Sequence, residues 1–251
     1  MQLSGKIAII TGASSGIGRA AARLFAEEGA CLVLNARSQP KLQVLVDELG
    51  PQRAIAVPGD VCEPQLAEAL VQTAVRHFGG LDIAFNNAGT LGESRPLPEL
   101  PLEAWHQVLN TNLTSAFLGA RAQIPAMLAR GGGSLIFTSS FVGHTAGFPG
   151  MAAYAASKAG LLGLVQVIAA EHGAQGIRAN ALLPGGTDTP MGRVAASTPE
   201  ARAHVAALHA LKRLAQPQEI ARAALFLASD AASFVTGSAL LADGGVSILR
   251  G

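Results

Sequence analysis

Charge is scarce in this chain. Of its 251 residues, 14% are Asp, Glu, Lys or Arg, against about 25% in an average soluble domain. The 18 basic and 17 acidic residues leave a net charge of +1, which argues against nucleic acid as a partner, since that usually demands a clustered basic face. Cysteine is scarcer still. Cys31 and Cys62 cannot build a disulfide framework, and two reduced thiols fit a cytoplasmic protein. Long apolar runs are missing as well. The longest stretch without charge, residues 131–157, is broken throughout by Gly, Ser, Thr and Pro, and the next, 159–170, spans 12 residues, where a bilayer needs about 20. The opening MQLSGKIAIITG has neither the charged nor the apolar region of a signal peptide. The expectation is a cytoplasmic protein with no membrane partner.

Apolar residues, by contrast, are plentiful. They make up 49% of the chain and the mean hydropathy is +0.35, enough burial to offset the ordering entropy and exclude disorder. Apolar surface in such excess is expected to be covered between subunits, in a homotetramer or homodimer.

Short β-rich runs recur at residues 6–10 (KIAII), 31–35 (CLVLN), Ala54–Pro58, 81–86 (LDIAFN), 134–139 (SLIFTS), 177–183 (IRANALL) and Ala239–Ala242. Between them lie helix-compatible spans: 19–28, 40–49, Pro64–Phe78, 102–130, 154–172, 200–210 and 217–229. Runs such as IAII and LVL are continuously apolar, as expected of strands covered on both faces. Alternation of this kind predicts an α/β fold, one doubly wound Rossmann-like domain over residues 1–251 with helices on both faces of a parallel sheet. No repeat or low-complexity linker divides it.

The first strand runs into Thr11-Gly12-Ala13-Ser14-Ser15-Gly16-Ile17-Gly18. Glycine there allows positive φ and close backbone approach to a pyrophosphate seated on a helix N-terminus. The spacing is G-x-x-x-G-x-G, not the G-x-G-x-x-G of the Rossmann dinucleotide fingerprint. About 20 residues on, where an acid would hold a ribose 2′-hydroxyl, stands Ala36, followed by Arg37. A guanidinium matches a 2′-phosphate bidentately, so NADP(H) is favoured over NAD(H).

Tyr154-Ala155-Ala156-Ser157-Lys158 puts a phenol and an ammonium one turn apart on a helix face, where the cation is expected to lower the phenol's pKa. Taken with Thr11–Gly18, Asn86-Asn87-Ala88-Gly89, Asn112, Ser140, Pro184-Gly185-Gly186-Thr187-Asp188-Thr189 and Asp243-Gly244-Gly245, the chain resembles the short-chain dehydrogenase/reductase family across essentially its whole length. The resemblance implies Tyr154 as general acid or base and Lys158 as its pKa modulator and a ligand of the nicotinamide ribose. It implies Ser140 as hydrogen-bond partner of the substrate oxygen, with Ser139 structural, and Asn112 as the holder of a water that relays protons to Lys158. It assigns Gly12, Ser14, Ser15, Gly16, Ile17 and Gly18 to the phosphates and Asp60 and Val61 to the adenine. Asn87, Ala88 and Gly89 would line the cleft, and Pro184, Gly185, Thr187 and Thr189 would meet the carboxamide and phosphates. Asn86 is expected to bridge strands instead.

The activity implied is interconversion of a small-molecule ketone and a secondary alcohol, with residues 185–211 as a lid. A 3-oxoacyl-(acyl-carrier-protein) reductase is the alternative, with Arg121 and Arg130 as its slender cationic support. A catalytically silent nucleotide sensor would not need all four catalytic residues. No histidine and cysteine spacing suggests a metal; His204 and His209 are expected on a helix surface. A small-residue stripe, Ala155, Ala159, Gly163 and Val167, and an opposite face of Leu161, Leu164, Val165 and Ile168 predict a helix buried all round.

Overall fold

The computed structural model describes residues 1–249. Seven strands form one parallel sheet: β1 (Ile7–Thr11), β2 (Cys31–Ala36), β3 (Ala54–Pro58), β4 (Ile83–Asn86), β5 (Gly133–Thr138), β6 (Ile177–Pro184) and β7 (Ala239–Ala242). Their order is β3-β2-β1-β4-β5-β6-β7, so the winding reverses between β1 and β4. All six pairings are parallel. The doubly wound α/β architecture expected from the strand pattern is the one observed.

The continuous apolar strands divide their side chains by the two-residue period of extended chain. Ala8, Ile10, Leu32, Leu34, Phe85 and Ile136 face one layer, where they meet Phe25 of α1 (Gly16–Glu27) and Leu225 of α9 (Pro217–Ala228). Helix α2 (Gln39–Leu49) completes that layer with Leu42 and Leu45. Ile7, Ile9, Val33, Leu135 and Phe137 face the other. There they meet α3 (Pro64–Phe78), α5 (Ser115–Ala129) and α6 (Ala152–His172).

Two stretches differ from the sequence expectation. The span 102–130 is not one regular helix: α4 (Leu102–Leu109) and α5 are joined by a π-helical turn, Asn110–Thr114. The Pro-rich span before residue 200 contains an unexpected helix, α7 (Pro190–Ala195). Thr189 caps it by accepting from the Gly192 amide, as Thr198 caps α8 (Pro199–Ala207) through Ala201. The Thr-Pro pair at both starts is the signal that could have revealed them.

Helix α6 presents two unlike faces within the single chain. Leu161, Val165 and Ile168 are buried, while Gly163 and Val167 are exposed. The small-residue stripe thus passes from half-buried Ala155 and Ala159 to the exposed end at Gly163 and Val167. By length and composition residues 152–175 could cross a membrane, yet α6 packs on β6 and carries a buried lysine, Lys158.

Candidate active site

The reversal of strand order opens a crevice at the carboxyl ends of β1 and β4, where ligands bind in open α/β sheets. Thr11, the last residue of β1, organises it: its hydroxyl accepts from the amides of Asn87 and Ala88, at 3.0 Å each. The Asn87 amide donates to the Thr11 carbonyl and its oxygen accepts from Thr138. Asn87 thus ties β4 to β1 and β5. Asn86, expected to bridge strands, instead makes a reciprocal amide pair with Gln123 of α5, at 2.9 and 3.0 Å. Of two adjacent residues, the one assigned to the cleft is the strand bridge.

The glycine turn lies against this bridge. Gly12 has φ +68°, and a Cβ there would come within 2.9 Å of Asn87 and 3.1 Å of Ala88. A Cβ at Gly18 would strike the Gly12 carbonyl. Helix α1 starts at Gly16, earlier than the expected residue 19, and its N-cap Ser15 makes no side-chain capping bond. Its first amides therefore face the crevice uncapped. Thr189, although its hydroxyl is engaged by Gly192, reaches across the crevice so that a Cβ on Gly16 would touch its methyl at 3.0 Å.

At the outer end, Arg37 follows β2 exposed and without an ion pair among the described residues. Asp60 stands close enough to feel its charge. The Asp60 carboxyl is held below the usual range, first by the Cys62 amide, which donates to it at 2.9 Å, and also by Arg37. Val61 lies half-buried beside it.

The opposite wall is built by β5 and α6. Residues 138 and 140 share a side of the extended chain and 139 the other. Ser139 donates to the Lys158 carbonyl at 2.8 Å. The Ser140 hydroxyl accepts from the Val142 amide at 3.1 Å and lies beside the Tyr154 phenol. Lys158 is buried and donates to the Thr138 carbonyl at 2.6 Å. Its ammonium sits 5.8 Å from the centre of the Tyr154 ring. With no acid facing it, burial pushes the Lys158 pKa down to about 8.

Burial also pushes the Tyr154 phenol up, while the Ser140 hydroxyl pulls it down. The lowering expected from Lys158 is not seen: burial sets the direction, and the Ser140 hydroxyl is the group that opposes it.

Asn112 sits in the π-helical turn, buried. Its oxygen accepts from the Thr90 amide at 2.8 Å, and its nitrogen donates to the Thr90 carbonyl and the Ser157 hydroxyl at 2.9 and 3.0 Å. Both amide hydrogens are spent on protein, so the side chain clamps the chain after β4 to α6 and cannot donate to a relay water. A Cβ on Gly89 would lie 3.2 Å from Asn112 and 3.3 Å from Lys158; this glycine fits between them.

Gly12, Gly16, Gly18, Asn87, Ala88 and Thr189 therefore meet on one side of the rim and Gly89, Asn112, Ser140, Tyr154 and Lys158 on the other, with three residues the sequence reading did not assign: Thr11, Thr138 and Ser157. Thr138 was within reach, since it shares the strand face of Ser140. Two further expectations change. His209 is buried, not on a helix surface, and Arg130 is paired with Asp82 at 3.2 Å. Among the described residues no group of His, Cys, Asp and Glu could hold a metal.

Residues 12–247 match a family model described as enoyl-(acyl carrier protein) reductase. The chain is 40% identical to a cyclohexanol dehydrogenase of Acinetobacter sp. (strain SE19), over 97% of this chain and 95% of that protein. It is 44% identical to an A-factor type gamma-butyrolactone 1′-reductase (1S-forming) of Streptomyces virginiae, over 98% and 97%. The crystal structure of a levodione reductase superposes with a TM-score of 0.94 at 33% identity, covering 99% of this chain and 100% of that one.

Proposed function

The chain belongs to the short-chain dehydrogenase/reductase family, and from that premise we propose that it is an NADP(H)-dependent oxidoreductase interconverting a ketone and a secondary alcohol. The observation that carries the reading is Tyr154 beside Ser140, with Lys158 buried one turn along. Relatives named cyclohexanol dehydrogenase, gamma-butyrolactone 1′-reductase and cis-4-hydroxycyclohexanecarboxylate dehydrogenase support the reaction class.

The crevice fits a dinucleotide on its own geometry. Gly12 and Gly18 leave a cradle that a methyl group would fill, and the uncapped start of α1 offers amides to a pyrophosphate. Gly12, Ser14, Ser15, Gly16, Ile17 and Gly18 would hold the phosphates, Asp60 and Val61 the adenine side. Asn87, Ala88 and Gly89 line the floor, and Pro184, Gly185, Thr187 and Thr189 the facing wall. Arg37, exposed and without an ion pair among the described residues, is the group for a 2′-phosphate, while Ala36 offers no carboxylate to a free ribose hydroxyl. When bound, the nicotinamide supplies or accepts the hydride.

The protein's part is to hold the carbonyl and move a proton. The Ser140 hydroxyl is positioned to donate to the substrate oxygen, stabilising negative charge as it develops. Tyr154, kept protonated by its burial, donates its phenolic hydrogen to that oxygen in reduction and takes it back in oxidation. Lys158, held by the Thr138 carbonyl, keeps the local potential positive when charged and would meet the hydroxyls of the nicotinamide ribose. Residues 185–211 form the lid over it. The carrier-protein alternative keeps Arg121 but not Arg130, which is paired with Asp82. Exposed Phe117 and Val167 on α5 and α6 are the surface for a second subunit in a cytoplasmic homodimer or homotetramer.

The test is ketone-dependent oxidation of NADPH and NADH by the purified protein and by Tyr154→Phe. The expected result is turnover preferring NADPH that falls by about 10²–10⁴-fold in the variant. Full turnover by Tyr154→Phe would sink the proton-donor assignment.

A further inference from the structure

His209 lies in the turn after α8 with only 2% of its surface exposed. Its Nδ1 stands 2.8 Å from the Val205 carbonyl. A carbonyl cannot donate, so Nδ1 carries the hydrogen. Its Nε2 accepts from the Gly186 amide at 2.9 Å, which needs a lone pair there. The two bonds together admit one form of the ring, the neutral Nδ1–H tautomer.

Around that ring three segments converge. A Cβ on Gly186 would come 2.9 Å from His209 Cε1, and one on Gly244 would come 3.3 Å from Cδ2. The Gly186 carbonyl accepts from the Ala215 amide, and the Asp188 amide donates to the Ala215 carbonyl. Lys212, the one non-glycine residue with positive φ (55°) among the described residues, follows three positions later. Its amide donates to the His209 carbonyl.

We infer that His209 is a positioning residue whose neutral ring holds the Gly186 amide, and with it residues 184–189, in the register that receives the dinucleotide; protonating Nε2 turns acceptor into donor and releases that wall. The inference rests on the proposed cofactor role of Pro184, Gly185, Thr187 and Thr189, and it adds an acid limb to binding that Tyr154 and Lys158 do not create. The charged groups on the elements packed against the ring are committed elsewhere. Asp243 accepts from the amides of Gly245 and Ser247, and Lys212 donates to the Ala207 carbonyl. Asp188 is paired with Arg193 and Arg213 with Glu219. On α8, Arg202 donates to the Ala196 carbonyl, Glu200 is held below its usual range by local hydrogen bonds, and His204 is exposed.

Two measurements test it, on the wild type, His209→Gln and His209→Phe. The Gln oxygen can accept from Gly186 and does not titrate, whereas Phe fills the space without an acceptor. Dissociation constants for NADPH by fluorescence at about pH 8 and about pH 5.5, the range across which histidine changes charge, should weaken about tenfold for the wild type beyond any change in His209→Gln. That comparison cancels the titration of the cofactor's own phosphate. His209→Phe should bind about tenfold more weakly than wild type at the higher pH, and no more weakly again on acidification than His209→Gln.

In the protein without cofactor, hydrogen exchange of the peptide containing Gly186, corrected for intrinsic rates, should accelerate on acidification in wild type and not in His209→Gln. Equal acid sensitivity of binding in wild type and His209→Gln would overturn the inference, as would unchanged protection of Gly186. If His209→Phe does not fold, the other two proteins decide the matter. If the wild type binds no dinucleotide at either pH, the cofactor reading fails and the exchange result still judges the latch.

Discussion

The body of the sheet and its carboxyl rim obey different rules. Along β1, all five residues from Ile7 to Thr11 are buried, and the layers around them are Ile, Leu, Val, Ala and Phe. Most of their polar atoms are backbone, paired in the ladders; buried polar side chains of the strands such as Asn35, Ser134 and Asn180 donate to backbone carbonyls of neighbouring segments. A few ångströms beyond the last ladder bond, the chain buries Asn112, Ser139, Ser140, Ser157, Lys158 and His209, bends through positive φ at Gly12 and Gly16, and widens a helix into a π turn. Each of these features lowers stability locally, and the body supplies the surplus that tolerates them. Stability and chemistry are divided along the strand direction.

Substitutions on either side can break that division. The largest effect is expected in the body. Phe25 is fully buried, 6.5 Å from the Phe85 ring, and Phe25→Ala should cost about 3–5 kcal/mol in urea denaturation. The molecules still folded should keep the wild-type turnover. Loss of turnover out of proportion to the folded fraction would show that the body and rim are coupled.

Next comes Lys158→Met at the rim, with the opposite sign. The Lys158 pKa is about 8 in the folded protein and about 10.4 unfolded. Below pH 8 both states are charged, and the folded one carries the whole cost of burial. Between the two values the unfolded chain holds more protons, so wild-type stability rises with pH there. At pH 7 the variant should therefore be the more stable, by no more than about 3 kcal/mol at roughly 1.4 kcal/mol per pKa unit. The lost bond to Thr138 reduces the gain, which should shrink toward pH 9.5 while activity is lost throughout. Chemical denaturation at the two pH values measures it; a destabilised variant at pH 7 would mean that Lys158 is structural.

The smallest effect belongs to the surface. Exposed Arg193 pairs with half-exposed Asp188 at 2.8 Å, and Arg193→Gln should leave the melting temperature unchanged. A clear drop in Tm would show that the lid segment bears load.

The sequence revealed the body more fully than the rim. Strands β2 to β6 announce themselves as apolar runs, and the glycine turn and the Tyr-x-x-x-Lys spacing announce the two walls of the crevice. What stayed hidden depends on partners far along the chain. Whether Asn86 or Asn87 bridges strands is decided by Thr11 and Thr138, 76 and 51 positions away. His209 is buried because the ends of β6 and β7 converge on it, and nothing local to residues 204–213 says so. The raised phenol and depressed ammonium follow from the absence of water, which no spacing encodes.

The π turn at Asn110–Thr114 has a consequence for how freely this chain can be edited. One residue of helix is about 100° of rotation. Deleting a single residue from that turn would restore an ordinary spiral and swing α4 by more than a quarter circle against α5. Asn112 would leave Thr90 and Ser157, and Gly119 would leave the space beside Asn86. The segment can accept many changes of side chain, but its count is fixed: a shortened version would still be helical, would still look right letter by letter, and would aim every polar group at the wrong neighbour.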